Sequence, residues 1–394
     1  MPSQKNSPVL IFLIFLRLGL TAFGGPVAHL AYFRQTFVEQ RRWLSEQNYA
    51  DLVALCQFLP GPASSQVGLA LGLTQGGYSG AFAAWLGFTL PSALMLTLLA
   101  LGLQIQADLF SSQVLHALKI VALAVVVQAV WGMGKSLCPE KPRITLMILS
   151  TCICLLWPIV TVQLLVLGLA AIVGIYCFKP VQTKDQVALD VPLSTQAGVF
   201  WLLLFGLLLV LLPLLALWLP LPALELFSAF YRVGSLVFGG GHVVLPLLQA
   251  EVVTTGWVNQ EVFVAGYGAT QAVPGPLFTF AAFLGASMGT GIAAIGMAAI
   301  GLLAIFLPAF FLVAGVLPFW QKLRLNLKLQ SALTGLNAAV VGLLLAVLYD
   351  PIWTGAIQSP QDFAWALLAF AALNYWRLPP WLVVLGAGAV GLLA

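Results

Sequence analysis

Along this chain, long apolar runs alternate with short stretches of polar residues, Pro and Gly. The runs fall near 9–33, 49–75, 79–104, 113–134, 143–159, 161–178, 197–218, 223–248, 258–289, 290–318, 329–349, 361–376 and 380–394. A helix of about 20 apolar residues crosses a bilayer, so each run is a candidate crossing. The pattern predicts an all-α polytopic membrane protein with about 13 transmembrane segments. The longest polar connector, Lys179 to Thr195, divides the chain into halves.

The halves are copies. Arg17-x-Gly19-x-x-x-Phe23-Gly24-Gly25 returns as Arg232-x-Gly234-x-x-x-Phe238-Gly239-Gly240. Trp43 stands 14 residues before Gln57 in Gln57-x-x-Pro60-Gly61-Pro62, and Trp257 stands 14 before Gln271 in Gln271-x-x-Pro274-Gly275-Pro276. Leu90-Pro91 returns as Leu307-Pro308, and Ala117-Leu118 as Ala332-Leu333. The four offsets, 215, 214, 217 and 215 residues, keep one order, which marks an internal duplication. We expect a first repeat over 1-178, a polar linker plus a linking transmembrane helix over 179-222, and a second repeat over 223-394. Six crossings and the linking one turn the second copy upside down. Inverted-topology repeats with broken helices are a frequent transporter plan, with substrate held between the copies near the midplane.

Composition narrows the function. Only 7% of the residues are charged and 61% are hydrophobic, more apolar surface than a soluble fold of this length can hide. No room remains for a sizeable soluble domain. A net charge of +4 spread over short loops makes no basic stripe, which excludes nucleic-acid binding. Cys56, Cys138, Cys152, Cys154 and Cys177 have no zinc-site spacing and read as small hydrophobes. Lys5 followed by Val9 to Leu16 resembles a signal peptide, but the run continues past Phe33 and recurs around Phe230, so it is no disposable leader. With 13 crossings, loops on the N-terminal side hold Lys5, Lys135, Lys141, Arg143, Lys179, Lys184, Lys322, Arg324, Lys328 and Arg377. The N-terminus is therefore expected in the cytoplasm. Arg34, Arg41 and Arg42 dissent on the opposite side, and an amphipathic interfacial stretch would accommodate them.

Arg17 and Arg232 interrupt apolar helices at one repeat position. A mid-membrane Arg costs ~2.5–3.5 kcal/mol on insertion scales, so it either snorkels or faces a partner. Two of them, entering from opposite faces, suggest a paired clamp, and a guanidinium fork suits a tetrahedral oxyanion. The Pro-Gly-Pro steps should end one half-helix near Leu59 or Val273 and start another at Pro62 or Pro276. The free N–H groups of such a first turn form an anion site at membrane depth. Ser65 and Thr279 place a hydroxyl four residues after the middle Gly, and Gln57 and Gln271 flank the break. The plainer alternative is a kink that only packs helices. Gly24-Gly25 and Gly239-Gly240-Gly241 likewise allow a break or a close approach. His29, His242 and Asp51 are candidate proton carriers, although none has a like residue in the other copy; Asp51 faces Ala265. Lys119, midway along its run, is another. No metal or cofactor motif is present. Gly386-x-Gly388-x-x-Gly391 lacks the helix and distant acid of a dinucleotide site, and Gly285-x-Ser287-x-Gly289 lacks the strand context of a nucleophile elbow.

At Arg17 to Pro26 (RLGLTAFGGP), Gln57 to Pro62 (QFLPGP), Arg232 to Gly241 (RVGSLVFGGG) and Gln271 to Pro276 (QAVPGP) the sequence resembles the chromate ion transporter family in its long, two-domain form. The resemblance implies a multi-pass inner-membrane protein, not an enzyme, that exports chromate, with sulfate as the chemical look-alike. Its partners would be the oxyanion and the lipid bilayer, with a homodimer left open. Pro26 facing Gly241 argues against a strictly symmetric site. Other readings are transport of sulfate or another oxyanion and, from a different class, an intramembrane enzyme or a scaffold.

Overall fold

The computed structural model describes residues 6–105, 112–178, 193–238 and 241–393, and among these every regular element is helical. α1 (Pro8–Thr21) starts from a Ser7 cap whose hydroxyl accepts from the Leu10 N–H. After Gly24, at φ 98°, α2 (Gly25–Phe33) runs into a π-helical stretch, Arg34–Gln40. That stretch has a sequence cause. Trp43 lies 19 positions after Gly24, whereas Trp257 lies 18 after Gly239, and a π turn absorbs one extra residue. α3 (Glu46–Phe58) begins at the Ser45 cap. α4 (Ala63–Ile105) doubles back at Gly77, φ 65° and ψ −155°, so that Gly72 lies against Gly80 and Ala84. The first copy ends with α5 (Ser112–Leu137), α6 (Lys141–Leu156) and α7 (Val160–Cys177).

α8 (Thr195–Trp218) is nearly bare, as expected of a helix facing lipid. The second copy repeats the first. α9 (Pro222–Leu236) is followed by a short 3-10 turn and α10 (Val244–Val252), then by α11 (Gln260–Thr270), α12 (Phe280–Met288) and α13 (Ile292–Val316). α14 (Trp320–Arg324), α15 (Leu327–Val347), α16 (Thr354–Ala356), α17 (Pro360–Asn374) and α18 (Pro380–Leu393) complete it. The buried face of α1 is Ile11, Ile14, Phe15, Leu18 and Gly19; α9 buries Leu226, Ala229, Phe230, Val233 and Gly234, each 215 positions later.

The broken helices are not kinked rods; they fold back. Phe33 and Phe37 of the segment after Gly24 pack on Phe15, with ring centroids 5.6 and 5.0 Å away. Seventeen residues of continuous helix would hold Gly266 and Phe283 about 25 Å apart. Instead a Cβ at Gly266 would run into the Phe283 ring, so α11 and α12 form a hairpin around Pro274-Gly275-Pro276. In the first copy, the Asn6 N–H donates to Gln75 O while Phe15 touches Gly68, so residues 63–76 run antiparallel to α1. Tyr49 Oη donates to Leu30 O and Arg34 pairs with Glu46, so α3 runs antiparallel to the segment before it. Among the described residues, five helices are long and apolar enough to cross a bilayer: Ala63–Gln104 (doubled at Gly77), Gln113–Leu137, Thr195–Trp218, Ile292–Phe319 and Leu327–Ala356.

Candidate functional site

The hairpin tips of the two copies meet, and they meet reciprocally. The Gly61 N–H donates to Val237 O at 2.6 Å, and the Gly275 N–H donates to Ala22 O at 3.0 Å. Gly61 and Gly275 are equivalent positions, and so are Ala22 and Val237. The tips also reach the other copy's long helix. A Cβ on Gly61 would lie 3.6 Å from Ala309 of α13, and one on Gly275 would lie 2.8 Å from Ser92 Oγ of α4. Ser92 and Ala309 correspond at the offset of the Leu-Pro block. Reciprocal contacts of this kind are what a two-fold relation produces.

Glycine is dictated at both tips. Gly61 has φ +121° and Gly275 φ +103°, which side chains rarely adopt; a Cβ would also crowd Gln66 Nε2 at Gly61 and Ser92 Oγ at Gly275, each at 2.8 Å. Pro60 and Pro62, or Pro274 and Pro276, stiffen the turn. Leu59 is extended before Pro60, and α4 starts at once after Pro62. The first N–H groups of that helix have no intrahelical acceptor, so they face the junction as donors.

Several polar atoms around the tips are buried without a hydrogen-bond partner among the described residues: Ser65 Oγ, Gln66 Oε1, Thr89 Oγ1 and Gln271 Nε2. Such atoms cost free energy unless water or a ligand satisfies them. Gln66 was not expected from the sequence; its Nε2 donates to Pro60 O at 2.7 Å, bracing the tip. The copies diverge here. Thr279 Oγ1 donates to Pro276 O at 2.7 Å and closes its own turn, whereas the Ser65 hydroxyl stays available. Gln57 is exposed at the end of α3. Gly24 and Gly25 have φ 98° and 75° and turn the first hairpin; Gly239 and Gly240 lie outside the described residues.

His29 sits between these elements and is buried. Its Nε2–H donates to Ala22 O at 3.2 Å, the carbonyl that also receives Gly275, and its Nδ1 lies 3.4 Å from Ser64 Oγ. His242 Nδ1 is 2.7 Å from Tyr267 Oη, on α11. Asp51 is buried within α3.

The two arginines stand in different surroundings. Arg17 is on the exposed face of α1 with Leu13 and Leu20, and no ion pair to it occurs among the described residues. Arg232 is partly buried, and its Nε and Nη2 donate to the two oxygens of Glu251 at 2.8 and 2.7 Å. Glu251 is a functional candidate that hydropathy alone misses, because the apolar run over 223–248 stops short of it. A signal existed: an arginine in an apolar helix demands an acid, and Glu251 is the next one along the chain.

Lys119 is also paired, 3.5 Å from Glu261, and His116 Nε2 lies 2.7 Å from Asp362. These four line a cavity of about 750 Å³ between α5, α11, α17 and α18, apart from the tips. Among the described residues no cluster of three or more His, Cys, Asp or Glu could hold a metal ion.

Comparison with known proteins fits this duplicated architecture. A chromate transport protein of Pseudomonas aeruginosa is 30% identical over 99% of this chain and 93% of its own length. An uncharacterized transporter of Methanocaldococcus jannaschii is 28% identical over 87% of this chain and 85% of its own. A chromate transport protein of Cupriavidus metallidurans is 26% identical over 98% and 92%. No solved structure matches the chain. The family model described as chromate transporter matches twice, over residues 9–175 and 224–392, so both copies are accounted for and the chain belongs to the chromate transporter family.

Proposed function

We propose that this protein is a secondary transporter that carries chromate out of the cytoplasm across the inner membrane, binding it where the hairpins of the two copies meet. The observation that carries the reading is the junction itself. Two half-helix starts, the Ser65 hydroxyl and the Gln271 amide present donors there, and the reciprocal Gly61 and Gly275 bonds join the copies around it. Fixed N–H dipoles and hydroxyls offer a transported anion preformed donors at membrane depth. Arg232, whose fork matches two oxyanion oxygens, is the guanidinium we assign to the pathway.

The hairpins also support an inverted arrangement of the two repeats, 1-178 and 223-394. If each hairpin enters and leaves on one side, nine crossings remain: residues 78–105, α5, α6, α7, α8, α13, α15, α17 and α18. Every Lys and Arg except Arg17, Lys119 and Arg232 then falls on the N-terminal side, the formerly dissenting Arg34, Arg41 and Arg42 included. Glu225, Glu261 and Asp350 fall on the other. Such complete segregation supports a cytoplasmic N-terminus and nine crossings in place of 13.

Everted membrane vesicles containing the protein should accumulate labelled chromate faster than empty ones. Equal uptake refutes the proposal. The second reading, transport of sulfate or a similar oxyanion, rests on the same tetrahedral chemistry, and it predicts that sulfate competes at concentrations comparable to chromate.

A further inference from the structure

The Arg232 fork is already full. Its Nε and Nη2 each donate to one oxygen of Glu251, the two-point geometry that a chromate or sulfate anion would need from the same guanidinium. Glu251 is buried and Arg232 is partly exposed, so the carboxylate lies on the protein side of the pair. Buried ion pairs are poor stabilisers, because desolvating both charges offsets their attraction. A pair placed one turn before the break after α9 therefore calls for another explanation.

The second observation is an asymmetry between the copies. Counting from the matching Gly24 and Trp43 blocks, the position equivalent to Glu251 is Thr36 or Phe37, and neither carries a charge to pair with a guanidinium. Arg17 correspondingly stands exposed and without an ion pair among the described residues. The second copy alone carries a competing anion against its arginine.

We infer that Glu251 is an internal counter-anion of the substrate site: it holds the Arg232 fork when no substrate is present, and it leaves the fork as the neutral acid when an oxyanion takes its place. The proton comes from water in the pathway and stays on the Glu251 carboxyl while the anion is bound. One proton then enters the site with each anion. No other charged side chain crowds Glu251 among the described residues packed on α10. α9 brings Arg232, with Glu225 two turns earlier; α7 has no Asp, Glu, Lys, Arg or His; Lys328 of α15 is exposed at that helix's start. His242, in the turn before α10, is hydrogen-bonded to Tyr267. This inference rests on Arg232 being a substrate ligand, which the experiment tests separately.

Chromate binding to the purified full-length protein is measured by titration between pH 6 and 8.5, together with proton uptake in lightly buffered solution. The wild type should bind more tightly as pH falls, by up to about tenfold per pH unit while one proton is taken up. E251Q should lose that pH dependence, and E251D should retain it. Chromate's own protonation is common to all variants and cancels in the comparison. Proton uptake should drop by about one per anion in E251Q relative to the wild type. If R232A binds chromate like the wild type, the assignment of the site fails. If R232A loses binding while E251Q keeps the wild-type pH slope and proton count, the counter-anion inference fails and the site stands. If E251Q does not fold, equal pH slopes for E251D and E251A overturn the inference, and a slope present only in E251D supports it.

Discussion

Placing a methyl group on a hairpin tip tests the junction most directly. In Gly61→Ala the new Cβ lies 2.8 Å from Gln66 Nε2, the atom that braces Pro60 O, and the residue is held at φ +121°. A backbone conformation of this kind costs ~1–3 kcal/mol for a residue with a side chain. Losing the Gln66 bond adds ~0.5–1.5 kcal/mol. Together these amount to ~2–4 kcal/mol, concentrated at the contact to Val237. The Gly275→Ala change repeats the insult from the other copy, with φ +103° and Ser92 Oγ at 2.8 Å. Ser92→Gly should relieve the clash of Gly275→Ala but not its backbone strain, recovering part of the loss. Gly206→Ala is the control, a site in α8 where an added Cβ meets nothing within 4 Å. The assay is chromate uptake into everted vesicles, normalised to protein level, alongside thermal stability in detergent. Both tip variants should lose at least tenfold in uptake and unfold earlier than the control. A Gly61→Ala protein indistinguishable from Gly206→Ala would refute the tip geometry and the site built on it.

Three further outcomes follow from the same structure. Single cysteines at Arg42 and Gly256 in an otherwise cysteine-free protein should label from opposite faces of intact cells, position 256 from outside and position 42 only after permeabilisation; the reverse result restores 13 crossings. Ser65→Ala removes a hydroxyl with no hydrogen-bond partner among the described residues, so it should leave stability unchanged and raise the chromate KM by about 2- to 10-fold, the equivalent of ~0.5–1.5 kcal/mol; an unchanged KM excludes Ser65 from the site. Arg232→Ala leaves Glu251 buried without its partner, which costs ~3–5 kcal/mol, and Arg232→Ala with Glu251→Ala should be less damaging to detergent stability than the single change; additive losses would mean the two side chains act independently.

The all-helical membrane architecture was legible because an apolar run has few alternatives in a bilayer, and the duplication was legible because Gly and Pro leave strict marks. Gly61 and Gly275 could be singled out from sequence because each stands between two prolines at a repeated position. Hairpins were not legible in the same way. Hydropathy counts apolar residues without recording direction, so 49–75 reads as one crossing whether the chain passes through at Pro60 or turns back there. The helix lengths held the clue. At 1.5 Å per residue, the 14 residues of α1 and 13 of α3 reach only about 20 Å, short of a ~30 Å hydrocarbon core. The three cations at 34–42 were a second clue, since a chain of 13 crossings puts them on the side that the positive-inside rule disfavours. Partnerships such as Arg232 with Glu251 depend on the fold-back itself, which brings positions 19 residues apart into contact.

The number of charges moved per turnover connects the junction to its energy source. One elementary charge moving through 100 mV is worth ~2.3 kcal/mol. A chromate dianion leaving an inside-negative cell alone would gain roughly twice that, near 5 kcal/mol, and membrane potential would suffice for export. If Glu251 takes up a proton that leaves with the anion, one net negative charge moves and the gain falls back to ~2.3 kcal/mol per 100 mV. Export would then weaken when the outside is acidic, because the proton moves against its gradient. Proteoliposomes with a potassium–valinomycin potential separate the two cases. With no pH gradient, the outward accumulation ratio should rise about 50-fold per 100 mV for one net charge and by the square of that for two. A single-charge slope in the wild type that becomes a two-charge slope in Glu251→Gln is the expected pair of results. Flux that ignores the potential and follows the pH gradient alone, stopping in Asp51→Asn, would overturn potential-driven export and move the coupling to α3.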